Sequence, residues 1–144
     1  MGCRLWAVGF ASAAGVLLCQ LKEHLSRDPR NLRVFALADD LVIDVYRATA
    51  AFPDDERFGL RSQLCRSAIS TACNIVEGTA RRTTGDYIHF LNVATGSAAE
   101  TRYLLDLAAR LQFVIPNVYQ ELTSRSTELL KGLQKLVGAL ERLR

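Results

Sequence analysis

The chain of 144 residues is 49% hydrophobic and 23% charged, with nine glycines and three prolines. That length fits one domain with a real core, and the composition excludes a disordered tail and predicts an ordered, helical protein. The formal net charge of +3 excludes a strongly polybasic nucleic-acid tail but leaves room for a local basic face.

Residues 1–28 differ in kind from the rest. Leu5 to Cys19, LWAVGFASAAGVLLC, is apolar and uncharged after the single Arg4, and it is shorter than the roughly 20 apolar residues of a membrane-spanning helix. A signal peptide would place its small-x-small cleavage site after the apolar run, whereas Ala11 to Ala13 falls inside it. Cys19 follows Leu17 and Leu18, not the small residue expected before a lipidated cysteine. Three readings are open: an export signal, a loosely docked apolar helix, or sequence translated upstream of the real start.

After the turn-forming SRDPRN, residues 29–144 read as one domain of four helices. Phe35, Ala38, Val42, Val45, Thr49 and Phe52 step by three and four, the period of a helix with one narrow buried stripe, and Pro53 ends it. Arg57 to Glu77 carries Leu60, Leu64, Ala68, Thr71 and Ile75 on one face and Cys65, Ile69, Ala72 and Val76 on the next. This predicts burial on two sides, with Gly78 as a left-handed C-terminal stop. A third helix opens near TTGDY, where Thr83 or Thr84 can cap and Asp86 favours the positive end of the dipole. Its stripe is Tyr87, Phe90, Ala94, Ser97, Thr101, Leu104, Ala108 and Leu111. Pro116 opens the fourth, with Val118, Leu122, Leu129, Leu133, Leu136, Leu140 and Leu143 spaced for a seam, and Gly132 and Gly138 weaken it. Short connections make successive helices antiparallel neighbours, so the expected fold is all-α, an up-down-up-down four-helix bundle.

The second helix also carries a polar line, since Arg66, Ser70, Asn74 and Glu77 advance by four, four and three. Glu77 is disfavoured at the C-terminal end of a helix and needs a cation, for which Arg81, Arg82 or an arginine of another chain is available. The third helix has a matching small and polar run, Ala94 to Glu100. Gly96 within it suggests close approach by another helix. Arg66, Asn74, Glu77, Gly96, Ser97 and Glu100 are therefore the candidate helix-packing or oligomer polar network. Arg57, Arg61, Arg66, Arg81 and Arg82 stand against one acid, Glu77, a local charge of five minus one, or +4. Arginine grips phosphate through a planar fork, which nominates Arg57, Arg61, Arg81 and Arg82 for nucleic acid. A merely solvated helix face is the plainer reading of the same charges.

Little here supports an enzyme. Glu77 and Glu100 invite a two-carboxylate metal site, yet neither is followed by His at the Glu-x-x-His spacing. His89, three after Asp86, is a weak ligand match, and Cys3, Cys19, Cys65 and Cys73 show no CxxC pair, which argues for reduced thiols. Cys65 and Cys73, two turns apart on one helix face, cannot bridge each other. No nucleophile triad or phosphate loop emerges. The expectation is a protein without catalysis, metal or cofactor.

The segment FPDDERFGLRSQLCRSAISTACNIVEGTARR, followed by DYIHFLNVATGSAAE, resembles the four-helix-bundle proteins encoded in intervening sequences of bacterial 23S ribosomal RNA genes, also labelled S23 ribosomal proteins. The match runs from about residue 29 and includes Phe52, Pro53, Gln63, Arg66, Ser70, Asn74, Ile75, Glu77, Gly78, Arg82, Phe90, Leu91, Gly96, Ser97 and Glu100. VFALADD stands where the family often has a bulkier opening with Trp, and Val76 where Ala is common. Members usually begin near RNLRVF, which favours an upstream start for residues 1–28. The resemblance implies a ring-like homopentamer in the bacterial cytoplasm, with no membrane partner. A similar bundle, the accessory protein of diversity-generating retroelements, is a basic pentamer that binds nucleic acid and a reverse transcriptase. Two functions follow as expectations: an oligomeric bundle that binds RNA or other structured nucleic acid, or an assembly scaffold that docks a partner protein.

Overall fold

The computed structural model describes residues 28–143; the apolar run Leu5 to Cys19, with Cys3 and Cys19, lies outside the described residues. Asp28 caps a short 3-10 turn, Pro29–Asn31, by accepting from the Arg30 amide at 2.9 Å. Four helices follow: α1 Arg33–Thr49, α2 Leu60–Thr79, α3 Thr84–Arg110 and α4 Pro116–Arg142. Each packs on its neighbours in sequence and α1 closes onto α4. Pairings such as Ser70 with Ser97 and Arg66 with Glu100 run in opposite directions along α2 and α3, as antiparallel neighbours require. The chain is an all-α, up-down-up-down four-helix bundle.

The ends of the helices have local causes. In α1 the helix stops at Thr49, and Phe52 folds back beyond it as a buried plug with its ring 5.5 Å from that of Phe113. Asp54–Arg57 forms a second 3-10 turn, and Glu56 Oε2 then accepts from the Leu60 amide at 2.7 Å, capping α2. Thr83 accepts from the Asp86 amide at 3.0 Å, the predicted cap of α3, and Pro116 occupies the first turn of α4. Between α3 and α4 the chain reverses through Gln112 at φ 61°, with Phe113 N–H donating to Ala108 O and Gln112 N–H to Ala109 O. That is a Schellman motif built on a residue other than glycine.

The core differs from the predicted stripes in ways that packing explains. On α1 the deepest residues are Val34, Ala38, Leu41, Val45 and Thr49, so Phe35 and Val42 sit at the flank, half-buried, instead of at the centre. On α2 the first face, Leu60 through Ile75, is buried as expected, together with Ser67, Gly78 and Thr79. Its second face is not: Cys65 and Ala72 are half-buried at the edge of the core, while Ile69 and Val76 stay 37% and 41% exposed. Gly78 is no stop, because α2 runs on to Thr79 and Gly78 is buried inside it. A Cβ there would lie 3.0 Å from Tyr87 Cδ2 and 3.1 Å from Phe90 Cβ, so its small size admits α3. Gly132 plays the same part on α4, where a Cβ would meet Val34 Cγ1 at 2.9 Å. Gly96, expected to admit a close helix, has nothing within 4 Å of a Cβ and faces outward; among the described residues no helix approaches it.

The two glycines should therefore respond oppositely to alanine. Gly96→Ala should stabilise the folded chain by about 0.5–1 kcal/mol, the helix-propensity gain at an open site. Gly78→Ala should destabilise it by about 1–2 kcal/mol, because overpacking outweighs that gain. Paired urea melts followed by circular dichroism measure both.

Candidate functional site

The small residues of α2 meet those of α3 in a seam of hydroxyl contacts. At its buried centre the Thr101 hydroxyl lies 2.9 Å from both Ser67 Oγ and Ser97 O, and Ser67 Oγ is also 3.1 Å from Leu64 O. Nearer the surface, Ser70 Oγ and Ser97 Oγ are 2.9 Å apart, and Asn74 Nδ2 donates to Ser70 O at 2.7 Å and to Ser70 Oγ at 3.2 Å. At the rim, Arg66 donates twice to Gln63 Oε1 and lies 3.9 Å from Glu100 Oε1. Of the predicted network, Arg66, Asn74, Ser97 and Glu100 thus occupy one α2–α3 seam. Glu77 lies further along and pairs with Arg81, and Gly96 stands on the outer surface. The pattern of polar spacing missed the buried members, Ser67, Thr71 and Thr101, because hydroxyls four apart on an apolar face read as ordinary core positions.

The four predicted nucleic-acid residues do not share a face. Arg57 and Arg61 lie at the N-terminal end of α2, Arg81 and Arg82 beyond its C-terminal end, and a 20-residue helix separates them by roughly 30 Å. Arg81 is engaged: it pairs with Glu77 and stacks over the Phe90 ring, 4.3 Å from the centroid. Arg82 is exposed. At the other end, Arg57, Arg61 and Arg66 line one open groove of about 410 Å³ between α1 and α2, with Tyr46 on its α1 wall and no carboxylate among its lining residues. Arg66 joins this groove from the polar seam, and Tyr46, about half-exposed, supplies an aromatic face. Neither was predicted for nucleic acid; Tyr46 lies on another helix, and only the fold brings it to the arginines.

Other polar groups are structural. Arg102 bridges α3 to α4 through Thr127 Oγ1 at 2.8 Å and Thr123 O at 3.2 Å, and Tyr119 donates to Asp106 Oδ1 at 2.8 Å. The Asp106 carboxylate, through that hydrogen bond, pushes the Tyr119 ionisation up. Arg125 pairs with Asp44 across α1 and α4. Among the described residues no cluster of three His, Cys, Asp or Glu could hold a metal ion, and no helix is long and apolar enough to cross a membrane.

Four antiparallel helices joined by short turns, with charged and apolar side chains displayed on their outer faces, define a small helical bundle. The chain belongs to the 23S rRNA-intervening sequence protein family, whose pattern matches residues 30–135. It is also similar to a solved protein of unknown function from the S23 ribosomal protein family of Bacteroides thetaiotaomicron VPI-5482, with TM-score 0.66 and 26% identity. That likeness covers 72% of this chain and 97% of the other. None of the curated proteins matches.

The two arginines after α2 should separate in a stability assay. Arg81→Gln removes an ion pair and a cation–π contact and should cost about 1 kcal/mol. Arg82→Gln should stay within about 0.5 kcal/mol of the parent. Thermal melts of the single variants measure the difference.

Proposed function

We propose that this chain is a non-enzymatic, self-associating helix bundle that binds RNA through the arginine groove at the N-terminal end of α2. The observation that carries the reading is the convergence of Arg57, Arg61 and Arg66 on one groove with no carboxylate in its lining. Guanidinium groups bind phosphate by charge-assisted, bidentate hydrogen bonds, and the Tyr46 ring beside them offers a base a stacking face. RNA is taken before DNA because the family's description names 23S rRNA. Arg82 forms a secondary contact at the far end of α2.

The test is a titration of labelled structured RNA at rising salt. Arg57→Gln with Arg61→Gln should weaken binding to all sequences alike and flatten the slope of log affinity against log salt by about two units at most, one for each phosphate that the variant no longer neutralises. A parent that binds no RNA at low salt, or a double variant with the parental slope, rejects the reading.

A second reading, assembly scaffold, is favoured by a separate observation. Ile43 on α1, Val76 on α2 and Val93 on α3 are each more than a third exposed, and the exposed Cys73 precedes Val76 by about one turn of α2. More than half of each is already covered, so burying the remainder against another copy would contribute about 0.5–1.5 kcal/mol for each. The homopentamer implied by the family resemblance is the assembly these side chains would serve. Val76→Lys should then lower the mass seen by light scattering while helicity is retained; a parent that is already monomeric removes the scaffold reading.

A further inference from the structure

We infer that the groove between α1 and α2 is a pocket for a terminal phosphate, a phosphomonoester carried by a single nucleotide unit, in preference to an internal backbone diester. This rests on the arginine groove of the RNA reading but asks something narrower of it. The reasoning begins with charge. Three guanidinium groups reach one groove whose lining holds no acid. A backbone diester brings one negative charge, whereas a phosphomonoester carries about 1.5 to 2 at pH 7 and presents three acceptor oxygens.

The donors are also available. Arg61, half-buried in the groove wall, makes no hydrogen bond or ion pair to the described residues. The described contact of Arg57 is with the face of Phe58, 5.4 Å from the ring centroid, which leaves its N–H edges open. Arg66 gives two N–H groups to Gln63 and lies 3.9 Å from Glu100, and a guanidinium has five N–H groups in all. The Ser62 hydroxyl adds a neutral donor to the lining. The helix N-terminus is not the receptor, because Glu56 Oε2 already accepts from the Leu60 amide at 2.7 Å. The side chains must do the binding.

Size and shape point the same way. The groove is open to solvent along one side, and its volume of about 410 Å³ gives room for one nucleotide unit against its walls. Tyr46 stands in the opposite wall, where a base attached to the phosphate could stack. The same chemistry could arrive as a free nucleotide or as the end of an RNA strand.

The experiment titrates the full chain with adenosine 5′-monophosphate and with two short RNA oligonucleotides identical except for a terminal phosphate, read by calorimetry at low salt. The expected result is affinity about tenfold or more higher for the phosphorylated strand, the worth of one extra charge-assisted contact. That preference should disappear in Arg61→Gln and Arg57→Gln and persist in Lys135→Gln, which removes an equal charge elsewhere; melting curves confirm that each variant is folded. Binding of the mononucleotide without binding of either RNA supports the pocket and rejects the RNA reading. Equal affinity for the two RNAs overturns the pocket and leaves the RNA reading standing. A phosphate preference that survives in both arginine variants, or absence of binding to all three probes, also overturns it.

Discussion

The close contact between α2 and α3 is the constraint on which the rest of the bundle depends. It is the most extensive helix pairing among the described residues, and it includes the hydroxyls of Ser67 and Thr101, which meet across it and are nearly inaccessible. Small residues let two helical backbones approach, and each buried hydroxyl must then find a partner, because an unpaired one costs about 1–3 kcal/mol. Here the partners are Ser67 with Thr101 and the carbonyl oxygens one turn back along each helix. A slide of one helix past the other by a residue would break the cross-helix bond, so the seam sets register as well as distance. Gly78 extends the same logic to the end of α2, where the absence of a Cβ lets Tyr87 and Phe90 lie across it.

That register decides what the outer surface can do. With the α3 side of α2 committed to hydroxyl packing, Arg61 and Cys65 turn toward α1 and meet Tyr46 across the groove. Arg66 sits at the border, bound to Gln63 and near Glu100 on one side and open to the groove on the other. Arg81 is fixed by Glu77 and Phe90 close to the turn into α3, where it serves the local structure. The arginines at the two ends of α2 thus differ: Arg57 and Arg61 make no ion pair with the described residues, whereas Arg81 is already paired with Glu77.

Much of this was legible in the residues, for identifiable reasons. Period and turn chemistry locate four helices, and Thr83 with Asp86 and Pro116 mark two starts because capping is a local interaction. Leu60, Leu64, Ala68, Thr71 and Ile75 are core as the spacing requires. The errors fall where several apolar residues compete for one stripe or where a small residue has two meanings. Phe35 and Val42 satisfy the same period as Val34 and Leu41, and only the position of the neighbouring helices selects between them. Gly78 and Gly96 are chemically identical, yet one lies under two aromatic side chains and the other faces open space. The groove was not legible because it joins Tyr46 to arginines from a later segment, and linear charge counting could not separate Arg61 from Arg82.

The seam between α1 and α4 has a different character, since it joins segments from opposite ends of the described chain. The α2–α3 and α3–α4 pairs each close across a short turn, but α1 meets α4 only after the two helices between them have been ordered. Loop-closure entropy makes such a contact the last to form. Its polar ties, Arg33 with Glu128 and Arg125 with Asp44, lie outside the dry core. The α1–α4 contact is therefore the one that closes the bundle, while α1 also packs on α2 across the short link of residues 50–59. In hydrogen exchange, partial openings that part α1 from α4 should leave Ser67 and Thr101 in contact, so that the bundle opens at that seam and does not fray evenly.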